Sequence, residues 1–310
     1  MSTRKKHAKR FVRLPAYAKV NLDLRVIGKR PDGYHELRTI FQTISLHDTL
    51  EMTLEPDASG RFHAHMTCDD PALPLGPENL VVRAIQSFHR AFNLQGNLSV
   101  HLHKKIPVAR GLGGGSSDAA ATLIGLIRLT RTRPPLAKLI EIAASLGADV
   151  PFFLFGGRAL AVNRGDEIYP LPDLPHRHIV VVSPGNIGVS TKDAYQWVSE
   201  QLTKRLEPPN IVEFCALCWS RQEQPLLNDF EGPVFSRYPR LGEIRAELLK
   251  RGAADAALAG SGSAVFGVFR NPARARRSAR SFPEDSVFAV KTITRDDYGR
   301  SMGWHVASRG

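Results

Sequence analysis

Hydrophobic and polar positions alternate along much of the first third of the chain. Residues 20–26 change between apolar and polar side chains over seven positions, which is the period of a half-buried strand. Pro31 and Gly33 predict a turn after this strand. Comparable patterns predict further strands at 11–16, 39–46, 49–54, 61–67, 98–103, 178–183 and 286–293, and a strand–turn–strand unit at 256–269.

Other stretches repeat apolar residues at helical spacing. Residues 80–92 place Leu80, Ile85 and Phe88 on one side of a predicted helix. The same reasoning predicts helices at 117–129, 135–146, 208–219 and 239–251, one that opens near Ser190, and an arginine-rich one after 270. Because strands and helices mix without a regular alternation of one strand and one helix, the sequence predicts an α+β fold.

The chain of 310 residues is long enough for two ordinary domains. Turn-forming residues are dense at 161–175, which predicts a domain boundary in that stretch. We therefore expect a basic, disordered tail at 1–10, a first domain over 11–165 and a second domain over 166–310.

The net charge of +12 would ordinarily suggest a polyanionic partner such as a nucleic acid. Five positive charges lie within 4–10 and five more within 270–280, and neither stretch contains an acidic residue. The rest of the chain therefore carries only +2. This distribution indicates a basic tail and a solvated helix face, so no specific nucleic-acid partner is expected.

The three cysteines, Cys68, Cys215 and Cys218, do not make a disulfide framework and fit a reducing compartment. Cys215 and Cys218 have the spacing of metal ligands, but no second pair completes a zinc site, so buried packing on a helix is expected. No apolar run approaches the roughly 18 residues of a membrane span. No apolar segment of a secretory signal follows the basic N-terminus either. We expect a cytoplasmic protein.

A glycine-rich loop leads into the helix predicted at 117–129. Such a loop lets a ligand approach the backbone, and the helix N-terminus favours a phosphate. Neither the Walker A pattern nor the dinucleotide fingerprint is present, and a plain glycine turn would explain the loop by itself equally well. The loop residues are Pro107, Val108, Ala109, Arg110, Gly111, Leu112, Gly113, Gly114, Gly115, Ser116 and Ser117.

Four segments together resemble the GHMP kinase superfamily. They lie at 15–22, 107–117, 146–151 and 258–266. A narrower resemblance within the superfamily rests on further segments at 30–37, 188–191 and 228–231. The resemblance covers about residues 12–293, and it implies a two-domain fold whose active site lies in the cleft between the domains.

The resemblance implies the transfer of a phosphoryl group from ATP to the 2-hydroxyl of a diphosphocytidyl sugar alcohol, in the non-mevalonate route to isoprenoid precursors. It implies that the loop 107–117 wraps the ATP phosphates and that Lys19 and Asp149 form the catalytic pair. Mg²⁺ is expected alongside ATP, with no ligands assigned. The residue types suit this chemistry, since a carboxylate can orient the attacking hydroxyl and an ammonium can steady charge on the transferring group.

For the acceptor, the resemblance implies that Tyr34 and His35 read the cytosine and that Tyr195 is the opposing ring. A base between aromatic rings gains stacking energy, and an imidazole can offer a donor and an acceptor to the base edge. Asn21 and Thr191 are expected to line the side of the sugar and diphosphate. If Tyr34 and His35 are considered alone, the alternative to a base-binding role is that they belong to an ordinary surface loop.

Two residues depart from the pattern of the superfamily. Arg110 stands where a small residue is usual, so it is expected to point outward or to add a cation near the phosphates. Ala259 stands where a hydroxyl residue often precedes Gly-Ser-Gly, which weakens a polar role at that position.

Two other functions stay open. The first is a kinase of the same superfamily that acts on another acceptor, such as homoserine or a mevalonate derivative; the segment Asp32-Gly33-Tyr34-His35 argues against it. The second is a non-catalytic protein that binds nucleotides or nucleic acids. It would hold ATP without turnover, and its binding of polyanions would depend strongly on salt.

Overall fold

The computed structural model describes residues 8–202 and 225–306, and within them the strands form two sheets. The larger sheet contains β1 (Arg10–Lys29), β2 (His35–Glu55), β3 (Phe62–Cys68), β4 (Gly96–His103), β5 (Arg158–Asn163), β6 (Glu167–Pro170) and β8 (Leu227–Asn228). The smaller sheet contains β7 (His178–Ser183), β9 (Asp255–Leu258), β10 (Val265–Phe269) and β11 (Ser286–Lys291). The mixture of sheets and helices confirms the α+β class.

The helices cover both sheets. They are α1 (Leu80–Phe92), α2 (Gly114–Thr130), α3 (Leu136–Leu146), α4 (Phe152–Phe155), α5 (Thr191–Leu202), α6 (Glu231–Arg237), α7 (Pro239–Lys250), α8 (Pro272–Ala279) and α9 (Arg295–Met302). α2 begins at Gly114, three residues before the predicted start at Ser117, because Gly113 takes the cap position with a left-handed backbone of φ 72°. The helix predicted at 208–219, with Cys215 and Cys218, lies outside the described residues, as do residues 1–7.

A long antiparallel hairpin of β1 and β2 forms the centre of the larger sheet. The sequence predicts two strands for each arm, but each arm is one strand, of 20 and 21 residues. The pairing register shifts between Tyr17 and Lys19 and again between Asn21 and Asp23. Such irregularities bend a strand and turn individual side chains to new directions. The shifts therefore bracket Lys19 and Asn21, the two predicted site residues on β1.

Three clusters of buried apolar residues hold the fold together. One lies between the larger sheet and α1, α2 and α3, and a second packs the smaller sheet against α5, α6 and α7. The third lies where the two sheets meet and includes Val20, Leu112, Val181 and Phe266. Burial of a large apolar side chain contributes roughly 1.5–3 kcal/mol. Because Leu112 belongs to this third cluster, apolar packing anchors the glycine loop between the sheets.

The chain crosses between the two sheets more than once. β6 pairs with β5 in the larger sheet, and β8 joins β1 in the same sheet by a short parallel pairing. Tyr298, close to the end of the described chain, is buried in the first cluster. The boundary at 165/166 stays a prediction.

Candidate active site

A cleft of about 1310 Å³ lies where β1, β2, the glycine loop, α5 and the turn at 260–261 meet. The turn follows β9 of the smaller sheet, so both sheets contribute to the walls. The cleft receives Lys19, Asn21, Tyr34, His35, Asp149, Thr191 and Tyr195, together with Gly111, Gly113 and Ser116 of the loop. Residues predicted from separate segments thus meet in one place.

Lys19 and Asp149 lie together in the cleft. The Lys19 ammonium is 3.4 Å from the Asp149 carboxylate and donates a hydrogen bond of 2.8 Å to the side-chain oxygen of Asn21. The side chain of Lys19 is 5% exposed, whereas that of Asp149 is 31% exposed. Lys19 is therefore held in place by its surroundings, while the carboxylate remains open to a ligand.

Asn21 is itself fixed by a residue that sequence reasoning did not single out. Its amide donates to the hydroxyl of Thr39 at 2.7 Å, and that hydroxyl donates to the backbone carbonyl of Asp23 at 2.6 Å. Asn21 and Thr39 are both buried. The pairing of β1 with β2 brings them together, so no local motif could have identified Thr39.

The glycine loop passes close to the turn between β9 and β10. Gly111 has φ +79°, and a Cβ there would overlap the carbonyl oxygen of Ala259. Gly113 has φ +72°, and a Cβ there would lie 2.9 Å from the Phe153 ring and 3.0 Å from Cγ of Lys19. These two glycines, rather than Gly114 or Gly115 in the first turn of α2, carry the backbone geometry that L side chains rarely adopt.

The remaining loop residues have different surroundings. Val108 is 50% exposed, and Ser117 is buried with a hydroxyl that has no hydrogen-bond partner. A Cβ at Gly114 would lie 3.0 Å from the Lys104 ammonium, whereas one at Gly115 would find its nearest atom, on Leu80, at 3.6 Å. Pro107 and Ala109 complete the approach to the loop and do not line the cleft.

The two departures from the superfamily pattern have physical explanations. Arg110 does not line the cleft; its guanidinium donates to the Ser263 hydroxyl at 2.7 Å and to the Gly185 carbonyl at 3.0 Å. Arg110 thus bridges two segments outside the cleft lining, which agrees with the outward alternative, and its place among the ATP-binding residues stays a prediction. Ala259 is fully buried and contributes its backbone, which Gly111 approaches.

His35 and Tyr195 stack on each other in the cleft, at the end where Tyr34 and α5 lie. Their ring centroids are 4.9 Å apart with planes inclined by 27°. His35 Nε2 lies 2.6 Å from the Ser199 hydroxyl, which donates to the backbone carbonyl of Tyr195 at 2.8 Å. A hydroxyl has one proton, so Nε2 is the donor to Ser199 and Nδ1 of a neutral imidazole is an acceptor.

The electrostatics of this end favour neutral rings. Burial and then the positive charge of Lys29 lower the pKa of His35, so the imidazole is uncharged at neutral pH. Burial and then the charge of Asp149 raise the pKa of the Tyr195 hydroxyl. Because the two rings touch, a base can lie between His35 and Tyr195 only if they separate.

Other side chains at this end were missed by sequence reasoning. The Arg164 guanidinium lies 5.1 Å from the ring centre of Tyr34, which is 57% exposed. Phe230 meets the Tyr195 ring edge to face at 4.9 Å. The segment 228–231 was part of the narrower resemblance and could have pointed to Phe230, but nothing local marks Arg164. Thr191 lies 3.2 Å from the Ser261 hydroxyl, across the cleft entrance.

A buried charged cluster lies directly under the start of α2. The Lys104 ammonium donates to Asp48 and, at 3.1 Å, to Asp118. Burial raises the pKa of Asp118 to about 8, despite the positive charge of Lys104. Burial also opposes the charge on Lys104, but Asp118 and Asp48 outweigh it and raise its pKa. One carboxylate oxygen of Asp118 has no hydrogen-bond partner.

Two kinds of feature are absent from residues 8–202 and 225–306. No group of three or more His, Cys, Asp or Glu side chains there could hold a metal ion. No helix in this part of the chain is long and apolar enough to cross a membrane.

Comparison with known proteins assigns the chain that forms this cleft to a family. The model of the GHMP kinases N terminal domain matches residues 79–157, and that of the GHMP kinases C terminal domain matches residues 211–285. A solved 4-(cytidine 5'-diphospho)-2C-methyl-D-erythritol kinase is 37% identical with a TM-score of 0.75, covering 91% of this chain and 99% of that one. This chain belongs to the GHMP kinase family, as the sequence resemblance predicted. It is a small-molecule kinase that uses ATP.

Curated relatives narrow the similarity to one member of that family. The chain is 44% identical over 309 residues to the 4-diphosphocytidyl-2-C-methyl-D-erythritol kinase of Solibacter usitatus, covering 96% of this chain and 95% of the relative. It is 39% identical to the protein of the same name from Geobacter metallireducens, covering 90% and 97%. A mevalonate kinase from Methanococcus jannaschii shares the fold, with a TM-score of 0.67 at 14% identity over 93% of this chain and all of that one.

Proposed function

We propose that this kinase transfers the γ-phosphoryl group of ATP to the 2-hydroxyl of 4-diphosphocytidyl-2-C-methyl-D-erythritol, giving the 2-phosphate and ADP. The observation that carries the proposal is the position of the Lys19–Asp149 pair. The pair shares one cleft with residues of the glycine loop and with the His35–Tyr195 rings, with Lys19 against Gly113 and Asp149 close enough to act on Tyr195. The full-length relatives of that name support the choice of acceptor.

Asp149 and Lys19 carry out the chemistry in this proposal. The Asp149 carboxylate accepts the proton of the attacking hydroxyl, whose oxygen forms a bond to the γ-phosphorus while the bond to the bridging oxygen of ADP breaks. The Lys19 ammonium, held at 2.8 Å by Asn21, neutralises charge that develops on the transferring group. Its burial means that little reorganisation is needed when this charge appears.

The glycine loop binds the ATP phosphates in this proposal. Gly111, Gly113 and Ser116 line the cleft at the N-terminus of α2, where backbone N–H groups and the helix dipole favour anions. Mg²⁺ accompanies ATP. The cleft is lined by two carboxylates, Asp149 and Glu141, which come from separate segments. This donor set suits a metal carried mainly by phosphates and water, as Mg²⁺ often is.

The acceptor end explains a preference for cytosine. Because Nε2 of His35 is the donor to Ser199, its Nδ1 is left as an acceptor. Cytosine presents an amine donor at the position where uracil presents a carbonyl acceptor. The exposed Tyr34 ring and the Tyr195 ring provide stacking surfaces, while Asn21 and Thr191 lie on the side of the sugar and diphosphate.

The wider assignments belong to the same proposal. A cytoplasmic location fits the cysteine content and the use of ATP. A specific nucleic-acid partner is not proposed, because ten of the twelve net positive charges lie in two short clusters. The division into domains at 165/166, after a tail at 1–10, is supported by the density of turn residues around it.

One experiment tests the proposed reaction. Purified protein is incubated with Mg-ATP and, in parallel, with 4-diphosphocytidyl-2-C-methyl-D-erythritol, homoserine or mevalonate, and products are followed by phosphorus NMR. We expect a new phosphomonoester signal and ADP only with the diphosphocytidyl compound. Turnover of homoserine or mevalonate in its place would assign the other kinase function. ATP binding without any product would favour the non-catalytic function.

A further inference from the structure

Arg110 connects the glycine loop to the part of the chain that carries acceptor residues. Its guanidinium donates to the Ser263 hydroxyl at 2.7 Å and to the Gly185 carbonyl at 3.0 Å. The backbone adds a third link, because Ala264 N–H donates to the Arg110 carbonyl at 3.2 Å. One loop residue thus holds two separate segments of the second half of the chain.

Both segments are linked to α5, on which Thr191 and Tyr195 lie: one by a hydrogen bond and the other along the chain. Ser263 is fully buried and donates from its hydroxyl to the Ile187 carbonyl at 2.6 Å. Gly185 and Ile187 belong to the connection that enters α5 at Thr191. The hydrogen bonds therefore run from Arg110 through Ser263 to the start of the acceptor helix.

The loop and the turn at 259–264 pack closely against each other. A Cβ at Gly111 would overlap the Ala259 carbonyl, and one at Gly260 would lie 3.1 Å from the Gly111 carbonyl. The Thr191 hydroxyl also lies 3.2 Å from the Ser261 hydroxyl on this turn. These contacts give a displacement of the loop a direct route to the turn, and from the turn to the start of α5.

We propose that Arg110 is a positioning residue that couples nucleotide binding in the glycine loop to acceptor binding on α5. Arg110 does not line the cleft, so it acts through Ser263 and Gly185 and not by touching either substrate. The identity of the acceptor in this proposal rests on the proposed function. Coupling between two ligands is reciprocal, so ATP must raise acceptor affinity by the same factor by which the acceptor raises ATP affinity.

The test is a binding cycle measured by calorimetry. The affinity for 4-diphosphocytidyl-2-C-methyl-D-erythritol is determined with and without a saturating non-hydrolysable ATP analogue, for the unchanged protein, Arg110→Ala, Arg110→Lys and Ser263→Ala. Arg133→Ala, an exposed arginine that precedes α3, is the charge-matched control. Thermal melting of each variant establishes that it is folded.

We expect the analogue to raise acceptor affinity at least about fivefold in the unchanged protein and in Arg133→Ala, within the range usual for coupled sites. In Arg110→Ala and Ser263→Ala the acceptor affinity with the analogue should be within about twofold of the affinity without it. Arg110→Lys, which can reach one acceptor but not two, should lie between them.

Three results would overturn the proposal. The first is an enhancement that survives in folded Arg110→Ala, even with weaker ATP binding, because Arg110 would then act by its charge alone. The second is an unchanged protein that binds both ligands without any enhancement. The third is an unchanged protein that binds the analogue but not the acceptor, in which case the proposed function fails and the coupling falls with it.

Discussion

The part of the cleft proposed to hold ATP, at the glycine loop (the donor half), is held more firmly than the part proposed to hold the acceptor, at His35 and Tyr195 (the acceptor half). Around the glycine loop, Gly111 lies against the Ala259 backbone, and Leu112 is buried between the two sheets. The Leu112 carbonyl accepts the backbone N–H of Lys19 at 3.0 Å. These contacts are made by backbone and core residues, so the glycine loop is packed in place without a bound ligand.

The acceptor half is built from side chains that contact one another. Tyr34 is 57% exposed, and the His35 and Tyr195 rings stack on each other. A base can reach the face of Tyr195 that His35 covers only if the two rings part. The comparison teaches that, in the proposed arrangement, ATP meets a loop held by backbone and core contacts, whereas the acceptor must move side chains, which costs part of its binding free energy. The predictions below test this contrast.

The largest effect is expected at the pair that joins the two halves. Asp149→Asn keeps the shape of the side chain and removes the proton acceptor, so kcat should fall by about 10²–10⁴-fold. ATP affinity should stay within about threefold, because the loss is confined to the transition state. Steady-state kinetics and calorimetry make the measurements, with Asp193→Asn on α5, outside the cleft lining, as the control. Turnover above about a tenth of normal would remove Asp149 from the mechanism.

A smaller loss is expected when the preformed loop is disturbed. Gly113→Ala places a Cβ against Phe153 and Lys19 at a left-handed backbone position, and such strain costs about 1–3 kcal/mol. Affinity for a non-hydrolysable ATP analogue should fall roughly tenfold or more. Gly115→Ala is the matched control, since its Cβ has room and lies in a helix that favours alanine. Equal affinities in the two folded variants would mean that the loop does not hold phosphates.

Substitutions in the acceptor half should alter the selectivity for cytosine over uracil. An unpaired buried polar group costs about 1–3 kcal/mol, so the uridine analogue should lose roughly tenfold or more in kcat/KM against the cytidine compound. His35→Ala should erase much of this preference. Tyr195→Ala should weaken both compounds alike, because stacking tolerates any base. Equal turnover of the two compounds by the unchanged protein would show that His35 does not read the base.

The sequence predicted best the features that depend on consecutive residues. The glycine loop, the strand pattern around Lys19 and the turn at Asp149 are local features, and their combination brought the GHMP resemblance. The alternation of β1 is interrupted near Tyr17 and Lys19, where the register shifts. The periodicity therefore predicted two strands in place of one, and the long hairpin appeared only in the structure.

Contacts between distant segments could not be predicted. Arg110 finds its partner Ser263 after 153 positions, and His35 finds Ser199 after 164. Neither pair has a local signature, since an arginine in a loop and a serine one helical turn after Tyr195 are both common on surfaces. The same limit applies to Asp118, which reads as an ordinary residue of the first helical turn and is in fact buried beside Lys104.

The last effect is expected on stability and not on activity, and it comes from the charged cluster beneath the start of α2. Because burial raises the Asp118 pKa from 3.8 to about 8, the folded protein keeps a proton that the unfolded chain releases between these pH values. The free energy of unfolding therefore falls as pH rises across that window, by at most about 1.4 kcal/mol per pH unit. Asp118→Asn removes this titration, so its urea-unfolding free energy should fall less between pH 5 and 8 than that of the unchanged protein. Asp193→Asn is the control and should keep the dependence of the unfolding free energy on pH that the unchanged protein shows. If Asp118→Asn also keeps that dependence, Asp118 is already ionised beneath the loop.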